Sequence, residues 1–440
     1  MSTTTRNSRT TTPTAAEWND WRWQIRNSLR TLDDLAGVIN LDAAERDQLQ
    51  RSLAVFSMAI TPYYASLMDP DDPACPVRKQ AVPSPLELVA HDEDLSDSTA
   101  EDIDSPTARI THRYPDRVLF ALTDLCSMYC RHCTRRRHVG SRDAVATSRE
   151  IDDALTYISR SPEVRDVLIS GGDPLTLSDD ALEDVVARVR AIPHVEVIRI
   201  GTRMPVVCPM RITPELVGML RKYHPLYLNS HFNTPRELTD ESREACARIV
   251  DAGIPMGNQS VLLRGVNDCP HVMKELVQGL MSFRVRPYYI YQCDLEPGIA
   301  HFRTSISQGV EIIENLRGHT SGLAVPWFIV EAVGGGGKTP VMPEYVISRN
   351  ARKVVLRSYE GVISSYTEPD DYSGPDCSCA TCRGEKTGAV GVAGLLAGEQ
   401  PTLDYVTEKR YEKVRVRKDR MMPWRAGSGG EDPAHADVES

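Results

Sequence analysis

Residues 126–133 read CSMYCRHC, and they follow directly on the run VLFALT at 118–123. Cys126, Cys130 and Cys133 therefore sit close together at the end of a stretch that reads as a β-strand. A closed structural zinc site takes four ligands, so three thiols would need a distant fourth, such as His132. A [4Fe–4S] cluster presents four irons, usually met by four thiolates. Three thiolates leave one iron open to a small molecule. A strand that delivers thiols at its C-terminal end is what an α/β fold uses to assemble a site.

Working outward, the strand pattern repeats. DVLISGG (166–172), VIRIGT (197–202), LYLNSHF (226–232), GNQSVLL (257–263) and RPYYIYQCD (286–294) are further strand candidates. Amphipathic helices lie between them, one with Ile151, Ala154, Leu155 and Ile158, the next with Leu182, Val185, Val186 and Val189 on one face. Such alternation implies parallel strands with helical crossovers. Six units predict a doubly wound sheet or a partial barrel, and periodicity does not choose between them. Polar and special residues gather at the strand ends: Cys126, Gly171-Gly172-Asp173, Arg203, His231, Asn233, Gln259 and Asp294.

Composition limits the function. The chain of 440 residues is 41% hydrophobic and 25% charged, with net charge −10, which disfavours nucleic acid as a partner. No apolar run approaches the ~20 residues of a membrane span, and the Thr/Ser-rich start lacks the core of a secretory signal, so a cytoplasmic location is expected. Eleven cysteines, an odd number, argue for metal sites over disulfides. The expected organisation is a disordered tail (1–16), an N-terminal helical region and irregular linker (17–110), the strand–helix region (111–330), a C-terminal segment (331–415) and a disordered tail (416–440). The first region reads as helices over WNDWRWQIRNSLRTLDDLAGVI and over 43–68, then an Asp/Pro-rich linker at 70–108.

Two further motifs carry chemistry. In EAVGGGGKTPVMPEYV, glycines 334–337 give a mobile or special-φ backbone just before Lys338. A lysine that forms a Schiff base with pyridoxal phosphate must reach the cofactor and swing away, and such a setting suits it. The other reading is an exposed lysine after a flexible loop. Cys377, Cys379 and Cys382 form a second cluster, read as zinc or as a second iron–sulfur site.

The spacing of CSMYCRHC, with Tyr129 before its second cysteine, resembles that of the radical S-adenosylmethionine (radical SAM) enzymes. Over about residues 17–415, THRYPDRV, CSMYCRHCTRRR, RDVLISGGD, RIGTRMPVV, RGVNDC, VRPYYIYQCDL, GGGGKTPVMP and DCSCATC resemble the lysine 2,3-aminomutase family. The resemblance implies an α/β fold: a partial (β/α)6 radical SAM barrel with N-terminal helical and C-terminal pyridoxal-phosphate- and zinc-binding additions. It implies a [4Fe–4S] cluster on Cys126, Cys130 and Cys133, with S-adenosylmethionine on the open iron and near Gly171, Gly172, Asp173, His231 and Gln259. It also implies pyridoxal phosphate on Lys338, its phosphate held by Arg113 and Arg117, and the substrate carboxylate on Arg135. Zinc would be held by Cys377, Cys379 and Cys382 with Cys269 of a neighbouring subunit, hence a homo-oligomer, dimer or tetramer. The reaction implied is the radical transfer of an α-amino group to the β-carbon, driven by an electron donor such as flavodoxin or ferredoxin.

The substrate is expected to be a basic amino acid. Asp294 keeps one of the family's two ammonium-binding acids, and Glu331 replaces the other. Leu323, Ala324, Trp327 and Val333 also depart from the family pattern. Room made by Leu323 and Ala324, and stacking on Trp327, favour arginine slightly over lysine.

Overall fold

The computed structural model describes residues 13–140 and 145–371. Its main element is a nine-stranded sheet in sequential order: β1 (Ile110–Tyr114), β2 (Arg117–Thr123), β3 (Asp166–Gly171), β4 (Val197–Gly201), β5 (Leu226–Ser230), β6 (Met256–Leu262), β7 (Arg286–Gln292), β8 (Trp327–Ala332) and β9 (Gly337–Pro340). β2 to β8 run parallel, whereas β1 and β9 are antiparallel edges. All six expected strands are present in this sheet. WFIVEA supplies a seventh parallel strand, so the boundary expected at 330 falls inside β8. The sheet continues to Pro340. A second unit begins at Met342 and holds an antiparallel sheet of Val346–Arg349, Lys353–Arg357 and Ile363–Thr367.

Alternation along the strands explains the layering. Val118, Phe120 and Leu122, Val167 and Ile169, and Ile198 and Ile200 are buried, while Leu119, Ala121, Leu168 and Arg199 between them are only half-buried. The crossover helices Ser148–Ser159, Asp179–Arg190, Asp240–Asp251, Pro270–Ser282 and Ile306–Leu316 each bury an apolar stripe. In the last of these, a Cβ on Gly309 would collide with the Phe328 ring of β8, so glycine permits the contact. Among the described residues, no helix is long and apolar enough to cross a membrane.

The N-terminal region departs from its expected form. Short helices at Ala15–Trp18, Trp21–Arg26 and Leu32–Ala36 replace one long helix, because Asp20 and Thr31 cap new starts. Residues 43–68 divide into Ala43–Leu53 and Pro62–Ser66, the second begun by Thr61 and Pro62. The expected linker at 70–108 is a packed strap. It contains the helix Pro76–Ala81, buries Cys75, Val77, Leu95 and Ala100, and packs Leu95 and Ala100 against Leu295 and Val333.

The strap neutralises the basic run that follows the cysteines. Arg131 donates to Glu87 at 3.0 and 2.6 Å, and Arg136 to the same carboxylate at 2.6 Å. Arg135 grips Glu101 through Nε and Nη2, and Arg137 pairs with Asp97 and Asp102. Burial would raise the Glu87 carboxyl, but the two guanidiniums outweigh it and hold the group below its ordinary value. Glu87→Ala leaves two arginines short of their counter-ion. We expect it to destabilise the fold by about 3–5 kcal/mol, read by chemical denaturation of the apoprotein.

Candidate functional site

The cysteine loop rests on two glycines. Gly171 has φ +117°, and a Cβ on it would strike the Thr123 carbonyl; one on Gly172 would strike the Leu125 carbonyl. Gly172 N–H donates to Thr123 O, and Asp173 N–H donates to Leu125 O at 2.7 Å. The end of β3 thus closes onto the start of the loop. The Asp173 carboxylate points toward the end of β4. There it accepts from Thr202 Oγ1 at 2.7 Å, Arg203 N–H at 2.8 Å and Leu175 N–H at 3.0 Å. These bonds make Asp173 a brace between strand ends.

Cys126, Cys130 and Cys133 are half-buried and carry no disulfide. Burial first, and the Cys130 thiol next, push the Cys133 thiol up to about 11; burial, then Asp173 and the other two thiols, drive Cys126 well above its usual range. A bound cation reverses that preference. No three His, Cys, Asp or Glu side chains among the described residues converge on one ion. A cubane meets each thiolate at a separate iron, so three neighbouring thiols fit it. His132, the alternative fourth ligand, is buried beside Asn233 and edge-on to Phe302. Arg203, flagged in the sequence only as a strand end, directs Nη1 at Cys130 Sγ, 2.8 Å away.

A second group of predicted residues meets where the two edges of the sheet approach. Gly334, Gly335 and Gly337 all have positive φ, between 75° and 84°, so the glycine run is a hairpin turn between β8 and β9. The register sets Lys338 opposite Glu331. From β1, Arg113 donates to Glu331 and to Asp104, both at 2.9 Å, and to Thr99 O, while the Lys338 N–H donates to Tyr114 Oη at 2.9 Å. Lys338 keeps solvent-exposed surface, yet its amine lies 5.8 and 5.6 Å from the Tyr114 and Tyr291 ring centres. Desolvation, with Arg113, Arg199 and Arg117 nearby, lowers its pKa against the pull of Glu331. Burial, with Glu331 adding to it, raises Asp294 to about 7, and Lys338 opposes. Arg117 stacks over the Tyr114 ring at 4.0 Å and touches exposed Asp116.

Other predicted residues take separate places. His231 follows β5, its pKa lowered to about 4 by burial and by Arg203, with a hydrogen bond to the Gln259 backbone in opposition. Arg135 Nη1 also reaches Gly171 O at 3.3 Å, so one guanidinium spans strap and strand end. Trp327 opens β8, about 13 Å along the strand from Glu331, and is 51% exposed. Leu323 and Ala324 lie in the turn before β8. None of the three joins the acids, because a pocket residue must be at the other end of the strand. Cys269 immediately precedes the helix Pro270–Ser282, makes no side-chain capping bond to it, and is exposed. Cys377, Cys379 and Cys382 lie outside the described residues.

Comparison with known proteins agrees with this geometry. The model of the radical SAM superfamily matches residues 120–276, and that of lysine-2,3-aminomutase matches 313–423. The L-lysine 2,3-aminomutase of Clostridium subterminale is 59% identical over 90% of this chain and 96% of its own. That of Acetoanaerobium sticklandii is 60% identical over 88% and 94%. A glutamate 2,3-aminomutase of Clostridioides difficile is 46% identical over 81% and 84%.

Asp294 makes the electrostatics testable. Its folded pKa lies above its unfolded value, so the native state holds a proton that the unfolded chain releases. Stability is lost as pH rises from about 4 to about 7, and the penalty is complete above that. Asp294→Asn should flatten this decline, seen as a smaller fall in melting temperature across the window; an unchanged slope would contradict the assignment.

Proposed function

Because this chain belongs to the lysine 2,3-aminomutase family of radical SAM enzymes, we propose that it converts L-lysine to L-β-lysine. The observation that carries the substrate is the acid pair Asp294 and Glu331, on β7's end and β8, facing the Lys338 amine. Two carboxyl groups in a desolvated site select a distal cation, and a dicarboxylate would be repelled. The case for arginine rested on Leu323, Ala324 and Trp327, which lie away from these acids. The similarity to L-lysine enzymes further supports lysine.

Each residue then has a task. Cys126, Cys130 and Cys133 would hold the [4Fe–4S] cluster, which with S-adenosylmethionine supplies a radical able to take hydrogen from an unactivated carbon. Gly171 and Gly172 let the β3 backbone approach closely; His231 follows the end of β5, whereas Gln259, expected at a strand end, lies in the middle of β6 beside it. Lys338 would hold pyridoxal phosphate, which supplies the unsaturated partner through which nitrogen moves. Its lowered pKa favours the neutral amine that such bonding requires.

Arg117 is the better cation for the cofactor phosphate, since Arg113 already spends its nitrogens on Asp104, Glu331 and Thr99. Arg113 instead orients Glu331. Arg135 carries five N–H donors, and with Glu101 on one edge it retains hydrogens for the substrate carboxylate. An exposed Cys269 at a helix start is consistent with zinc shared with Cys377, Cys379 and Cys382 of a second copy.

The test is incubation of anaerobically reconstituted, reduced protein with S-adenosylmethionine, pyridoxal phosphate and lysine, arginine or glutamate in turn. We expect β-lysine to form fastest. Faster β-arginine would reject the substrate assignment, and no isomerisation at all would reject the reaction. Asp294→Asn should raise KM for lysine about 10- to 100-fold, the worth of one hydrogen bond to a charged group, as steady-state kinetics would show.

A further inference from the structure

We propose that Arg203, held in place by Glu237, tunes the reduction potential of the cluster through its hydrogen bond to Cys130. This rests on the reading that Cys130 is a cluster thiolate. Arg203 Nη1 lies 2.8 Å from Cys130 Sγ. The rest of the guanidinium is fixed: Nε donates to His231 O at 3.1 Å, and Nη2 lies 2.6 Å from Gln80 Oε1 and 2.9 Å from Glu237 Oε1. Glu237 is fully buried and is itself pinned. Its Oε1 accepts from Tyr64 at 2.7 Å, and its Oε2 accepts the Asn233 and Thr234 N–H groups at 2.6 and 3.1 Å.

Three features separate this from ordinary packing. First, a buried ion pair is costly to desolvate and gains little over apolar packing, so stability alone does not account for it. Second, the guanidinium is over-determined: its partners come from the helices Pro62–Ser66 and Pro76–Ala81, the end of β5 and the turn Pro235–Glu237. Such a group stays in place when the charge on its neighbour changes. Third, the remaining N–H edge points at sulfur.

Hydrogen bonds to cluster sulfurs and nearby charge set cluster potentials. Reduction adds one electron from a low-potential donor to the cluster, taking [4Fe–4S]2+ to [4Fe–4S]+. A cation at Cys130 stabilises the added electron and raises the potential. Glu237, behind the cation, moderates that effect. The pair therefore sets the potential by difference, and the two members act in opposite directions.

The test is a potentiometric titration of reconstituted full-length protein with dithionite, followed by electron paramagnetic resonance of the reduced cluster, with iron content measured alongside. Glu237→Gln keeps the shape but removes the moderating charge, and should shift the midpoint upward. The double variant Arg203→Met with Glu237→Gln removes the pair and should shift it downward. Arg203→Lys, which keeps the charge, should fall between the double variant and wild type. If the double variant takes up no cluster, the sign of the Glu237→Gln shift decides alone. An unchanged or lowered midpoint in Glu237→Gln, with full iron loading, overturns the proposal. Wild-type protein that binds no [4Fe–4S] cluster overturns the earlier reading of Cys130 instead.

Discussion

A loop with three thiols and four arginines cannot hold itself. It lacks a regular ladder for its backbone, and its charges repel. Everything at the mouth of the barrel follows from supplying those partners. The N–H groups of Tyr129 and Arg131, on either side of Cys130, donate to Ala59 O and Gln80 O at 3.1 and 2.9 Å. Glu87, Glu101, Asp97 and Asp102 answer the arginines. A buried backbone donor or charge left alone would cost several kcal/mol, so the N-terminal strap is part of the site.

The second constraint is an unclosed sheet. β1 and β9 are both edges, yet side chains of β1 reach across: Arg113 to Glu331 and Tyr114 to Lys338. Closure by side chains gives a lumen whose walls carry a lysine, a guanidinium, two acids and stacked tyrosines. These charges nearly balance. Low hydration then moves the amine and Asp294 toward their neutral forms.

Much of this was legible along the chain. The six parallel strands announced themselves through alternating apolar residues, and the cysteine spacing marked the loop that the strap braces. The glycine run marked the lysine, although its three positive-φ residues make a defined hairpin. The helix breaks at Asp20 and Thr31 were written as capping residues and were outweighed by the apolar spacing around them. Trp327 and Leu323 were read as pocket residues because they depart from the family pattern. Four residues along an extended strand put Trp327 at the far end of β8 from Glu331, and Leu323 lies in the turn before it.

By itself, then, the sequence determined local periodicity, the thiol set and the turn chemistry, because each depends on residues a few positions apart. Only the tertiary structure decided which charges meet. Tyr64, Gln80, Cys130, Arg203 and Glu237 lie on separate elements and no spacing rule connects them. They are brought together because a buried guanidinium must find acceptors wherever the fold provides them.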